Sequence, residues 1–96
     1  MPSKTPNKPQ AANDPQTLAL AALAATLGDD RRAQRLLDLT GIGTEELRRR
    51  AGDPVLLAAM ISFLEAHEPD LVAVAQAIGV APADLVQARL VLEGQA

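Results

Sequence analysis

Apolar positions along the chain recur at helical spacing, and each group of them is bracketed by residues that start and stop helices. Leu18, Leu20, Leu23 and Leu27 stand on an alanine background between Asp14-Pro15 and Gly28. Asp supplies an N-cap, Pro fits the first helical position, and Gly ends the run. The punctuation then repeats. Asp29 or Asp30 opens a second helix that runs to about Leu39 and stops at Gly41. Thr44, with Glu45 and Glu46 in the first turn, opens a third that ends at Gly52. Asp53-Pro54 opens a fourth reaching about His67. Pro69 opens a fifth, closed by Gly79, and Pro82 opens the last, running to about Glu93. No alternating run of β-branched or aromatic residues lies between them. The prediction is an all-α fold, a compact bundle of about six short helices with helix-turn-helix-like corners.

Three of these helices lack a single apolar stripe. Helix 1 is leucine and alanine nearly all round, and helix 4 reads "VLLAAMI" without a break from 55 to 61. A helix that is apolar on every side is buried on every side. Helix 4 is therefore expected at the centre of the core, with part of helix 1 or helix 4 a candidate homodimer face. Helix 6 carries two stripes, one of Leu85, Ala88 and Leu92, the other of Val86 and Leu90 beside Val91. The second stripe covers a neighbouring helix, docks a second copy, or takes a partner's helix. Val86 and Leu90 are accordingly the candidate partner-binding residues.

The turns resemble one another. "GIGTEELRRRA" (41–51) aligns with "GVAPADLVQAR" (79–89), placing Gly41 on Gly79, Ile42 on Val80, Glu46 on Asp84 and Leu47 on Leu85. In each, Gly is expected in the left-handed conformation, and the next apolar residue folds back over the helix just ended. Eleven residues read as convergence on one capping solution rather than as a solenoid repeat.

The second corner also has the packing skeleton of a DNA-binding helix-turn-helix over 71–90. Ala75, Gly79, Val74, Ile78, Val80, Leu85 and Ala88 occupy the turn and packing positions. Its outward positions are Ala81, Pro82, Ala83, Val86, Gln87 and Leu90, of which only Gln87 suits base readout. Arg89 is the sole Lys or Arg between 65 and 96, so phosphate anchoring is poor there. The earlier corner is richer. Arg48 and Arg49 correspond to Val86 and Gln87, with Arg31, Arg32 and Arg35 on the preceding helix. Local pairs account for most of that charge: Glu45–Arg49, Glu46–Arg50 and Arg35–Asp38 stand at helical spacing. Arg48 and Arg49 are the candidate nucleic-acid contacts of this alternative reading.

Composition narrows the field further. The 96 residues allow one domain, expected over 14–94, preceded by a Pro-rich stretch, 1–13, whose composition predicts a disordered tail. Charge is uneven: residues 51–96 hold Arg89 against Asp53, Glu65, Glu68, Asp70, Asp84 and Glu93. The net charge of −3 disfavours nucleic acid and anionic membranes as general partners. The apolar stretch 18–28 is too short to span a bilayer and is read as a helix rather than a signal peptide. With no cysteine, disulfides and thiolate metal sites are excluded, and a cytoplasmic location is expected.

Catalysis lacks candidate parts. His67 is the single histidine and reads as a helix C-terminal cap or surface residue, while Ser62 and the threonines have no base near them in sequence. Glu65, His67, Glu68 and Asp70 cluster, yet they lack the i,i+4 ligand spacing of helical zinc sites. Gly41 and Gly43 follow a helix rather than a strand, so no phosphate-cradling loop is predicted. No cofactor, metal or enzymatic activity is expected. A non-enzymatic module that binds a protein partner or itself is the leading expectation.

The runs "LTGIGTEELRRRAGDP" and "FLEAHEPDLVAVAQAIGVAPADL" carry a family likeness that extends over about residues 15–94. The chain resembles a family of small all-helical alphaproteobacterial proteins known as a domain of unknown function, DUF3572. That resemblance implies a stand-alone cytoplasmic helical domain of this length, and it implies no activity and no site residues.

Overall fold

Capping chemistry explains where each helix begins. A computed structural model describes residues 14–95, and six helices account for most of them: α1 (Pro15–Leu27), α2 (Asp30–Thr40), α3 (Thr44–Arg49), α4 (Pro54–Glu65), α5 (Glu68–Ile78) and α6 (Pro82–Gln95). The expected tail, 1–13, lies outside the described residues. Among those described there is no strand.

Asp14, Asp29 and Asp53 sit at the N-caps of α1, α2 and α4 in extended backbone conformation. Their carboxylates accept from the amides of Thr17, Arg32 and Val55 at 3.1, 3.0 and 2.9 Å. These bonds are stronger to the ionised carboxylate than to the neutral acid, so all three are held below the ordinary aspartate value of 3.8. The leading causes are the Thr17 hydroxyl for Asp14, the Arg32 amide for Asp29 and the Val55 amide for Asp53. A depressed folded-state value stabilises the fold above the unfolded value, and that contribution disappears as pH falls through the folded one. Urea midpoints should therefore stay level as pH drops from neutrality to about 5, then decline below about 4. The triple Asp→Asn variant, which keeps cap acceptors without their charge, should show a shallower acid decline. An equally steep decline would assign it to other carboxylates.

The two matched corners have the same construction. Gly41 and Gly79 are the two glycines with positive φ, at 70° and 77°. Gly41 N–H donates to the Leu37 carbonyl, and Val80 N–H reaches back to that of Ala75. Ile42 and Val80, the residues after each Gly, pack against the core, and Leu47 and Leu85 are fully buried one turn into the next helix. At the second corner α5 and α6 meet at 97°, within the range of helix-turn-helix units. Gly28 differs: it closes α1 in right-handed conformation, φ −75°, with Asp29 starting α2 at once.

Two boundaries depart from the sequence reading. α3 ends at Arg49, and residues 50–52 form a turn that leads to the Asp53 cap. α4 ends at Glu65, and His67 is the N-cap of α5 rather than a C-terminal cap of α4. Pro69 forces this break, because a proline in the next turn denies the helix a backbone donor.

The core lies where α1, α4 and α6 meet, with α5 closing one side. α4 against α6 is the most extensive interface, followed by α1 against α6. Leu57, Ile61 and Leu64 of α4, Ala19 and Ala22 of α1, Ala75 of α5, and Leu85 and Leu92 of α6 are completely buried. Alanines on α1 let neighbouring helices approach closely, which leucine-sized residues at the same positions would prevent. Helix 1 and helix 4 both contribute heavily to the core, yet neither is buried all round as expected: Leu20 of α1 and Val55 and Ala59 of α4 remain exposed. α2 and α3 contribute one fully buried leucine each, Leu36 and Leu47, and α2 rests chiefly on α1. Thr26, buried in α1, donates to the Ala22 carbonyl at 2.7 Å. No buried side-chain nitrogen or oxygen among the described residues lacks a partner. No single helix is long and apolar enough to cross a membrane.

Candidate functional site

Two surfaces gather the residues with chemistry to offer: the outer side of α4 and α6, and the corner where α2 meets α5. On α6, Leu85, Ala88 and Leu92 face the core, as the first stripe requires. The second stripe is divided. Leu90 remains 49% exposed, whereas Val86 is half-buried. Val91, 39% exposed, contributes to a small cleft with Pro15, Leu18, Asp84, Gln87 and Ala88, between the start of α1 and α6.

Beyond α6, a shallow groove of about 400 Å³ runs along α4, lined by Val55, Ala58, Ala59, Ser62 and Glu93. Its floor is nearly all small and apolar, and Val55 at its edge is 54% exposed. Charge closes one end. Arg89 donates Nε to Glu65 across the helix interface and Nη1 to Glu93 at 3.0 and 2.9 Å along α6. Glu65 first and Glu93 second hold the Arg89 guanidinium above its ordinary value. The network pins α6 to α4 and fixes the rim of the groove.

The arginine corner is organised differently from the local pairs expected in the sequence. Arg35 does not pair with Asp38, which accepts from Gln34 instead at 2.8 Å. It turns inward to Asp70 of α5, and Arg32 donates Nε to the other oxygen of the same carboxylate at 2.9 Å. Asp70 is only 5% exposed, a buried charge that two guanidinium groups neutralise. Helical spacing reveals i,i+3 and i,i+4 partners, but a pair 35 residues apart depends on tertiary packing and leaves no local trace. Glu45 pairs weakly with Arg48 at 3.8 Å rather than with Arg49, and Arg50 lies between Glu46 at 3.5 Å and Asp53 at 3.3 Å.

The arginines of α2 and α3 therefore play different parts. Arg32 and Arg35 are anchored to Asp70, with Arg35 also stacked over the Phe63 ring at 5.8 Å from its centre. Arg48 and Arg49, the candidate nucleic-acid contacts, are exposed on α3 and do not line the α2–α5 corner. A polar cavity of about 170 Å³ opens at that corner, lined by Asp29, Arg31, Arg32, Arg35, His67 and Asp70. Sequence reasoning singled out Arg31, Arg32 and Arg35 as a group and missed Asp70 as the residue that orders two of them. Among the described residues no group of three or more His, Cys, Asp or Glu side chains is arranged to hold a metal ion.

No curated protein and no solved structure shows significant similarity to the chain. A family model does match it, over residues 12–95, which takes in every helix described above. The chain belongs to the family described as "Protein of unknown function (DUF3572)".

Proposed function

We propose that this chain is a non-enzymatic helical module that associates with a second copy of itself or with a partner protein through the outer side of α6 and the adjoining groove on α4. The observation that supports this most is the exposure of Leu90 and Val55 at positions where a solvent-facing helix ordinarily carries polar side chains. Leu90 supplies an apolar knob, and the small residues Ala58, Ala59 and Ser62 leave room for a helix to approach. The second stripe read from the sequence is concentrated in Leu90, since Val86 is partly covered within the chain.

The test is sedimentation over a wide concentration range, together with affinity capture from the native lysate, for the parent and Leu90→Asp. The parent should self-associate or retain a partner, and the variant should remain folded by circular dichroism while losing that association. Val86→Asp combined with Leu90→Asp extends the test across the stripe, and unfolding of this double variant would place Val86 in the core rather than in an interface. Replacing Arg48 and Arg49 by glutamate should leave association unchanged and insensitive to salt, as apolar contacts are. Loss of binding in the Arg48/Arg49 variant, with steep salt dependence, would replace this reading with a phosphate-contacting one.

A further inference from the structure

The Asp70 cluster orders more than it neutralises. A guanidinium has five N–H donors, and Asp70 uses one from each arginine: Nε of Arg32 and an Nη2 hydrogen of Arg35. Asp29 receives Nη1 of Arg32 at 3.3 Å. These contacts anchor both side chains, which removes part of the rotamer freedom that binding a ligand would otherwise cost. Arg35 is restrained from a second side by Phe63.

Arg31, exposed on α2, makes no ion pair among the described residues and lines the same cavity. His67 also lines it, and its side chain makes no capping hydrogen bond to α5. The lining therefore presents three guanidinium groups and an imidazole against two carboxylates that already serve Arg32 and Arg35.

We infer that the cavity between α2 and α5 is a binding site for a single tetrahedral oxyanion of the phosphate type, contacted by Arg31, Arg32, Arg35 and His67. At about 170 Å³ it has room for one such group, and the rest of any larger molecule carrying it would extend into solvent. Guanidinium donors match phosphate oxygens in charge and in fork geometry. Asp70, which shares the cavity lining, is a positioning residue that fixes two of the guanidinium groups. Asp30 and Glu68, in the first turns of α2 and α5, adjoin lining residues in sequence and keep the expected affinity modest. This inference is independent of the α4–α6 association surface, since the two share no lining residue.

The experiment is a titration of the full chain with inorganic phosphate, followed by amide chemical shifts against sodium chloride at equal ionic strength. Saturable shifts should centre on residues 30–35 and 67–70, and Arg31→Gln should weaken binding about tenfold, as expected for loss of a charge-assisted contact. Arg31 is exposed, so the variant should keep its fold. His67→Ala should weaken binding by a smaller factor. A phosphate monoester such as phosphoserine should displace inorganic phosphate if the group is carried on a larger molecule. Shifts no greater than those produced by chloride, or unchanged in Arg31→Gln, would overturn the assignment. So would binding of an oligonucleotide lost on replacing Arg48 and Arg49 while orthophosphate leaves residues 30–35 unshifted.

Discussion

Replacing Leu57 by alanine should cost about 3 kcal/mol and bring the domain close to unfolding. Leu57 is completely buried on α4, the helix that meets α1, α5 and α6. Removing its branched end deletes contacts on several helices at once and leaves a cavity that a close-packed interior closes only in part. The effect is large relative to the total, since small domains have stabilities on the order of 5–15 kcal/mol. Urea denaturation followed by far-ultraviolet circular dichroism should show the midpoint fall with an unchanged slope. Leu39→Ala is the matched control, because Leu39 is 74% exposed and its truncation should change stability by no more than about 0.5 kcal/mol. Equal losses at the two positions would contradict a core centred on α4.

Asp70→Ala should cost about 2 kcal/mol and loosen α2 before any other helix. Removing one partner of a fully buried ion pair costs about 3–5 kcal/mol. The cost is smaller here because the Arg32 and Arg35 side chains are 24% and 43% exposed and can regain water. The location of the effect is the sharper test. α2 is joined to the body by Leu36, by its contacts with α1, and by this pair of arginines. Hydrogen exchange in Asp70→Ala should therefore accelerate throughout 30–40, while amides near Ile61 and Leu85 slow or quicken only with global stability. Acceleration spread evenly over all six helices would mean that Asp70 supports the whole core and not α2 in particular.

Much of this architecture was legible in the sequence because it depends on local chemistry. Asp14-Pro15 and Asp53-Pro54 fix two helix starts through cap bonds spanning two or three residues. Gly41 and Gly79 fix two helix ends because left-handed backbone is strained for other residues. The unbroken apolar run 55–61 identified a buried helix for the same reason that Leu57 and Ile61 prove solvent-free. What stayed hidden were relations between distant segments. In the sequence Asp70 stands out only as a member of the Glu65, His67, Glu68 and Asp70 cluster, and of its two arginines Arg35 reads as the partner of Asp38 while Arg32 has none assigned. The position of His67 turned on the competition between continuing α4 and starting α5, which Pro69 decides. Helical phase alone did not separate Val86 from Leu90, whose different exposure depends on the bundle around α6.

The stacking of Arg35 over Phe63 has a spectroscopic consequence. Phe63 is the sole Phe, Tyr or Trp of the chain, so with the smaller imidazole of His67 it is one of only two rings able to shift nearby resonances. Arg35 side-chain protons close to the guanidinium carbon that sits over that ring should resonate upfield of their random-coil positions. Their displacement gives a continuous readout of whether α2 is seated against the body. It can be followed through a titration or a temperature series in the unlabelled protein, without a probe being introduced.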